Sequence, residues 1–234
     1  MRTLLVAGHV YSMSERFATA MLIDDDVVAW IGTDAGAQVH LADVDRVVDL
    51  GGDLLAPGFV HLGSDDPDPD QGFLHAERAP VPRADRWAPQ AWERAAQQPL
   101  AVVPRDPCRL RSRIAAGVPT ALVPDRLEPS GWETVRSAVY DVAPQERLSP
   151  RAAFSALTRG AWRILGHPDR GVLNVGAQAT FVQWAVTDLV VEAPDERVSN
   201  WSTDPRAATP GLPPLAPGDR LPEVRSVWRA GEPG

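Results

Sequence analysis

Over the first 57 residues apolar side chains recur at a spacing near two: Leu4, Val6 and Val10, then Met21, Ile23, Val27, Ala29 and Ile31. That period belongs to half-buried strands, so the pattern predicts paired short strands over 3–11, 20–23 and 27–33. Asp24-Asp25-Asp26 falls between two of them as a hairpin turn. Three consecutive aspartates also raise the idea of a calcium loop, but no downstream Gly and Glu complete such a pattern, so a solvated turn is expected. A short helix over 34–41 follows, then a strand over 47–50 and another stretch of strand over 54–60.

The pattern breaks after Gly63. Asp65-Asp66-Pro67-Asp68-Pro69-Asp70 and prolines at 80, 82, 89, 99, 104 and 107 remove backbone donors and interrupt helix and ladder alike, which predicts extended loop over 63–107. Only a short helix over 89–97 interrupts it. Helical spacing returns beyond Arg109: a helix over 110–116, a buried strand over 120–123, and a helix over 132–142 with Trp132, Val135, Ala138 and Val139 on one face. Ser149 then caps a helix with Pro150 in its first turn. Its stripe runs through Ala153, Phe154, Leu157, Ala161 and Ile164 to a stop at Gly166. Strands over 179–184, 188–192 and 225–229 complete the chain, whose ends are expected to return to one β unit split by an insertion.

The segment VVDLGGDLLAPGFVHLGSDD, residues 47–66, carries the strongest family signal. With the blocks AAGVPTALVPD, WETVRSAV, LSPRAAFSALTRGAW, GVLNVGAQATFVQW and APDERVSNWSTDPRAATPGLP in order, it resembles the amidohydrolase superfamily, in the amidohydrolase 3 group that includes N-substituted formamide deformylase. The resemblance implies an α+β to α/β fold. A split small β-sandwich, the composite domain of metal-dependent hydrolases, would comprise 1–57 and 166–234. A reduced remnant of a (β/α)8 barrel would comprise 58–165, including the Pro-rich loop 63–107. It also implies a hydrolase of C–N bonds other than peptide bonds that uses zinc, with two ligands from His-x-His at the end of the first barrel strand. Here Gly63 and Asp65 stand in those two positions. Asp125, in Val123-Pro124-Asp125, matches the aspartate that in the family binds metal and takes a proton from the attacking water.

Length and composition weigh against a working centre. A (β/α)8 barrel needs about 250 residues and rarely fewer than roughly 200, whereas fewer than about 100 separate Phe59 from Leu157. The expectation is an internally truncated barrel. All 23 basic residues are arginine, so no lysine is present to cradle a phosphate, form a Schiff base or, carboxylated, bridge two metals. The net charge of −8 argues against a nucleic-acid partner. No run approaches the ~20 apolar residues of a membrane span, and no signal peptide is read at the start, so a cytoplasmic protein is expected. The single cysteine, Cys108, permits no internal disulfide and has no histidine near it in sequence to make it a nucleophile.

The chemistry left to weigh is sparse. Asp65, Asp66, Asp68 and Asp70, flanked by His61 and His75, form the best alternative metal cluster, but alternation with proline favours solvated, extended backbone. Asp125 is the best catalytic relic, and its plainer role is a loop carboxylate pairing with an arginine. His61, Asp65 and Asp125 are the weak metal candidates; no cofactor is expected, with zinc implied by the resemblance alone. His9 and His40 fall among turns as ordinary polar residues. Of eight tryptophans, Trp30, Trp162, Trp184 and Trp201 lie in family-like blocks and are expected to pack. No nucleophile elbow, dinucleotide fingerprint, His-Glu-x-x-His or paired Cys-x-x-Cys is present. The first expectation is therefore a pseudoenzyme of amidohydrolase ancestry with no identified small-molecule substrate. A second is an interaction protein or homo-oligomer that covers the apolar faces of helices 132–142 and 150–165. A third is an enzyme with a new site built from Asp125 and the His61–His75 region.

Overall fold

The computed structural model describes residues 1–62, 73–77, 100–102, 109–124, 130–190 and 210–234, with 73–77 and 100–102 described by backbone alone. The alternating segment forms β1 (Arg2–Val6), β2 (His9–Val10), β3 (Ala20–Asp24) and β4 (Val27–Gly32). The turn between β3 and β4 is the expected aspartate run, with Asp25 at φ +54°. Helix α1 (Asp34–Ala37) follows, capped by the Thr33 hydroxyl accepting from Gly36 N, and it tightens into a 3₁₀ turn over Gln38–Asp43. Next come β5 (Arg46–Asp49) and β6 (Leu54–Ala56). After a Pro57-Gly58 break, β7 spans Phe59–Leu62.

Two sheets arise from these strands and the tail. One runs β4-β3-β1-β5, with β1 antiparallel to β3 and parallel to β5. The other joins both halves of the chain: β11 (Phe181–Ala185) pairs antiparallel with β6 and with β12 (Glu223–Arg229), flanked by β2 and β13 (Glu232–Pro233). Period-two alternation sorts their side chains into layers. Leu5, Met21 and Ile23 meet Leu55, Phe181 and Trp228 in a core between the sheets, whereas Leu4, Ala20 and Leu22 turn outward under Ala37 and Trp30. Leu54, Ala56, Val182 and Trp184 leave the second sheet on its other face, toward the helices.

A polar chain is built into that second sheet. Gln183 Nε2 donates to Asp53 Oδ2 at 2.7 Å, the Ser226 hydroxyl donates to Gln183 Oε1 at 2.9 Å, and Trp228 Nε1 donates to Ser226 Oγ at 2.9 Å. Arg225 Nε approaches the same Asp53 oxygen at 3.3 Å. Gln183, Ser226 and Trp228 thus satisfy one another's buried polar atoms together with Asp53.

The helical layer consists of α2 (Leu110–Ala115), α3 (Gly131–Tyr140), a 3₁₀ turn over Pro144–Glu146, α4 (Pro150–Leu157) and α5 (Arg159–Ile164). Ser130 and Ser149 cap α3 and α4, accepting from Glu133 N at 3.0 Å and Ala152 N at 3.2 Å. The stripe expected to run continuously through 150–164 breaks at Thr158, where φ −118° and ψ −98° depart from helix. There the Thr158 hydroxyl donates back to Phe154 O at 2.8 Å. Gly166 ends α5 with φ +87°, as its position suggested.

An aromatic cluster joins the layers. Trp132 stacks on Phe154 with centroids 5.3 Å apart and meets Phe59 and Trp184 edge-on at 5.3 and 5.5 Å. Tyr11 meets Phe154 edge-on at 5.0 Å, and burial pushes its phenol up to about 12, only partly opposed by the Arg151 guanidinium. Such pairs add about 0.5–1.5 kcal/mol each beyond the area they bury. Approach is so close at Gly131 that a Cβ there would lie 1.9 Å from Phe59 Cδ2.

Three expectations need correction. The span 63–107 holds two short strands, β8 (Phe73–Glu77) and β9 (Leu100–Val102), both in stretches without proline, where the ladder keeps its donors. Among the described residues, the tail strand placed at 188–192 reduces to a single bridge, Val190 with Leu212. The helix faces expected to seek a partner are covered within the chain, since Trp132, Val135, Ala138, Ala153, Phe154 and Leu157 are all buried in its own core. The helix placed at 89–97 lies outside the described residues.

Candidate functional site

The residues that resemble a hydrolytic centre lie on, or follow in sequence, two strands. Strand β7 pairs in parallel with β8, and β10 (Thr120–Leu122) pairs in parallel with β9. Parallel strands bury both faces, and β7 fits that pattern. Its Val60 and Leu62 share a cluster with Ala121, Val123 and Ala161, while Phe59 enters the aromatic core. Leu62, which directly precedes position 63, and Val123, two residues before position 125, therefore belong to the same buried cluster of five.

Within this frame the candidates separate. His61 is half-buried on β7 and takes part in an interaction there. Asp65 and Asp125 lie outside the described residues, as do Asp66, Asp68, Asp70, Cys108 and Trp201. His75 lies opposite Val60 in the β7–β8 ladder and Ala76 lies opposite His61, so the register does not pair the two histidines directly. His9 is exposed, and His40 sits against the Trp30 ring with centroids 4.9 Å apart.

Catalytic zinc is held by about three protein ligands with a fourth position left for water. Strands β7 and β10 together supply one imidazole, His61, and among the described residues no three His, Cys, Asp or Glu side chains converge. Positions 63, 65 and 125, which would complete such a set, lie outside the described residues.

A second concave feature escaped the sequence reading. A cleft of about 700 Å³ opens beside Pro57-Gly58, where β7 begins, and not at the end of β7 that leads to positions 63 and 65. One wall is α5 and the loop after it, carrying Arg159, Trp162 and Arg170; the other is the β3–β4 turn with Asp26. Arg159 and Trp162 stand three residues apart on one short helix, a spacing that places them on one side of it. That spacing was the available signal, but Arg170 reaches them only through a tertiary turn.

The amidohydrolase family model matches residues 76–233. No curated protein matches the chain significantly. Among solved structures, the chain is similar to an enamidase described as a member of the amidohydrolase superfamily, with TM-score 0.67 and 11% identity, over 100% of this chain and 95% of that one. It is similar to an amidohydrolase from an environmental sample of the Sargasso Sea, with TM-score 0.60 and 11% identity over 100% and 92% of the two chains. It is also similar to a zinc-bound adenosine deaminase from Xanthomonas campestris, with TM-score 0.59 and 15% identity over 99% and 92%. At these identities the structural likeness speaks to the fold alone.

Proposed function

The chain belongs to the amidohydrolase family, and from that premise we propose that it is a C–N hydrolase scaffold, for bonds other than peptide bonds, that has lost its metal-dependent step. The observation that carries this reading is the pair Gly63 and Asp65, which stand where the family resemblance calls for two histidines. One carboxylate at Asp125 and one imidazole at His61 neither complete a zinc shell nor lower the pKa of a bound water. The same reading takes residues 1–57 and 166–234 as a composite β domain. The pairing of β11 with β6 supports this. Residues 58–165 are then a shortened barrel, with β7 to β10 as its remaining parallel strands. The zinc-bound adenosine deaminase among the similar structures makes zinc the ion to test first.

The test is metal analysis of the purified full chain after incubation with zinc, alongside a screen of formamides, N-acyl amino acids and cyclic amides. The expected outcome is zinc well below one equivalent and no turnover that depends on Asp125. Stoichiometric zinc together with hydrolysis abolished in Asp125→Ala would overturn the proposal.

A further inference from the structure

We propose that the cleft beside Pro57-Gly58 is a binding site for a small carboxylate, held by Arg159 and Arg170 beside the Trp162 ring. The inference is independent of whether the chain hydrolyses anything, because the cleft opens where β7 begins and none of the described residues that line it is a metal candidate.

Three features make this a built cleft and not a gap between loops. First, its walls are fixed by backbone. Gly171, at φ +71°, packs so tightly on α5 that a Cβ would come 2.8 Å from the backbone N and Cα of Arg159 and from Trp162 Cδ1. The other end of that loop is tied to the β-sheet through Gly176 N to Val28 O at 2.8 Å, Val28 N to Ala177 O at 2.9 Å and Ala179 N to Asp26 O at 2.7 Å. Second, an aromatic platform with a cation on its face already exists. The Arg170 guanidinium carbon sits 5.0 Å from the Trp162 ring centroid, and His167 meets the same ring edge-on at 5.7 Å. Third, Arg159 lines the cleft with no ion pair or side-chain hydrogen bond of its own among the described residues.

This chemistry selects its ligand. A free guanidinium presents a planar fork that matches a carboxylate in two parallel hydrogen bonds. The amides of Asn174 and Gln178, on the same lining, offer further donors and acceptors. Asp26 and Asp169 also line the cleft, so its charge is close to balanced. That balance favours a singly charged acid over a di- or triphosphate, whose extra charge the two carboxylates would repel.

Benzoate is the probe. Titrated into the full chain, it is expected to saturate, to shift the Trp162 indole resonance identified by its loss in Trp162→Phe, and to weaken with added salt. Arg159→Gln and Arg170→Gln change exposed side chains and should leave the melting temperature unaltered while each weakens binding at least tenfold. Benzylamine, equally flat but cationic, should not compete. Absence of saturation at millimolar benzoate, or equal affinity in Arg159→Gln, would overturn the assignment.

Discussion

The titration of Tyr11 offers an unusually clean test of the packing described above. Its phenol lies in the aromatic core, 8% exposed, with its pKa raised from 10.0 to about 12 chiefly by burial. Below pH 10 both folded and unfolded chains keep the proton, and the buried neutral ring contributes its full share of stability. Between pH 10 and about pH 12 the unfolded chain ionises while the folded one does not, so stability falls as pH rises. Two pH units correspond to about 2.7 kcal/mol, lost in full once pH passes the folded value. In most proteins lysine titration obscures this window; here there is none, and only one other tyrosine, Tyr140, and one cysteine compete. Urea unfolding of the native chain and of Tyr11→Phe, measured at steps from about pH 9 to about pH 12, should give curves that diverge by about 2–3 kcal/mol, the phenylalanine variant being the flatter. Parallel curves would refute the claim that the folded core holds this phenol neutral.

Two packing predictions follow from atoms named above. Gly131→Ala should destabilise by about 1–3 kcal/mol in spite of alanine's better helix propensity, because the added methyl would lie 1.9 Å from the Phe59 ring; Phe59→Leu in the same chain should restore part of the loss, and a stabilised single variant would contradict the packing. Asp53→Ala should cost about 1–3 kcal/mol in urea unfolding by stripping Gln183 Nε2 of its acceptor, whereas Asp53→Ala with Gln183→Leu should recover stability; equal losses in the two variants would mean the polar chain is not coupled.

How much of this was legible in the sequence depends on how local the cause is. Strands β1, β3 and β4, the aspartate turn, the Ser149 cap and the Gly166 stop could all be read, because each rests on side-chain spacing or on one residue's backbone preference. The break at Thr158 was not legible from apolar spacing, since it comes from a hydroxyl turning back on Phe154 O. Strands β8 and β9 were hidden by the prolines around them, although 73–77 and 100–102 contain none. The candidate site was legible only as a resemblance, and the cleft not at all, because Arg170 returns to Trp162 through the turn over 166–170, a feature of tertiary packing.

On the proposal that residues 58–165 are a shortened barrel, the aromatic core supplies the packing that the missing strands would have given. In a complete barrel the helices that follow the strands pack on a closed ring, and shortening the ring should leave their apolar faces bare. Here those faces are turned onto the second β-sheet. Trp132 and Phe154 from α3 and α4 meet Phe59 and Tyr11, and Trp184 of β11 completes the group. Removing one such ring would cost about 3–5 kcal/mol, a large share of the 5–15 kcal/mol that holds a typical protein together. None of these five residues is a candidate metal ligand. The described interactions that hold this core therefore use none of the candidate ligands. Placing histidines at 63 and 65 should raise zinc uptake by the full chain if those two imidazoles are all that the centre lacks, and unchanged uptake would show that more than these two ligands is missing.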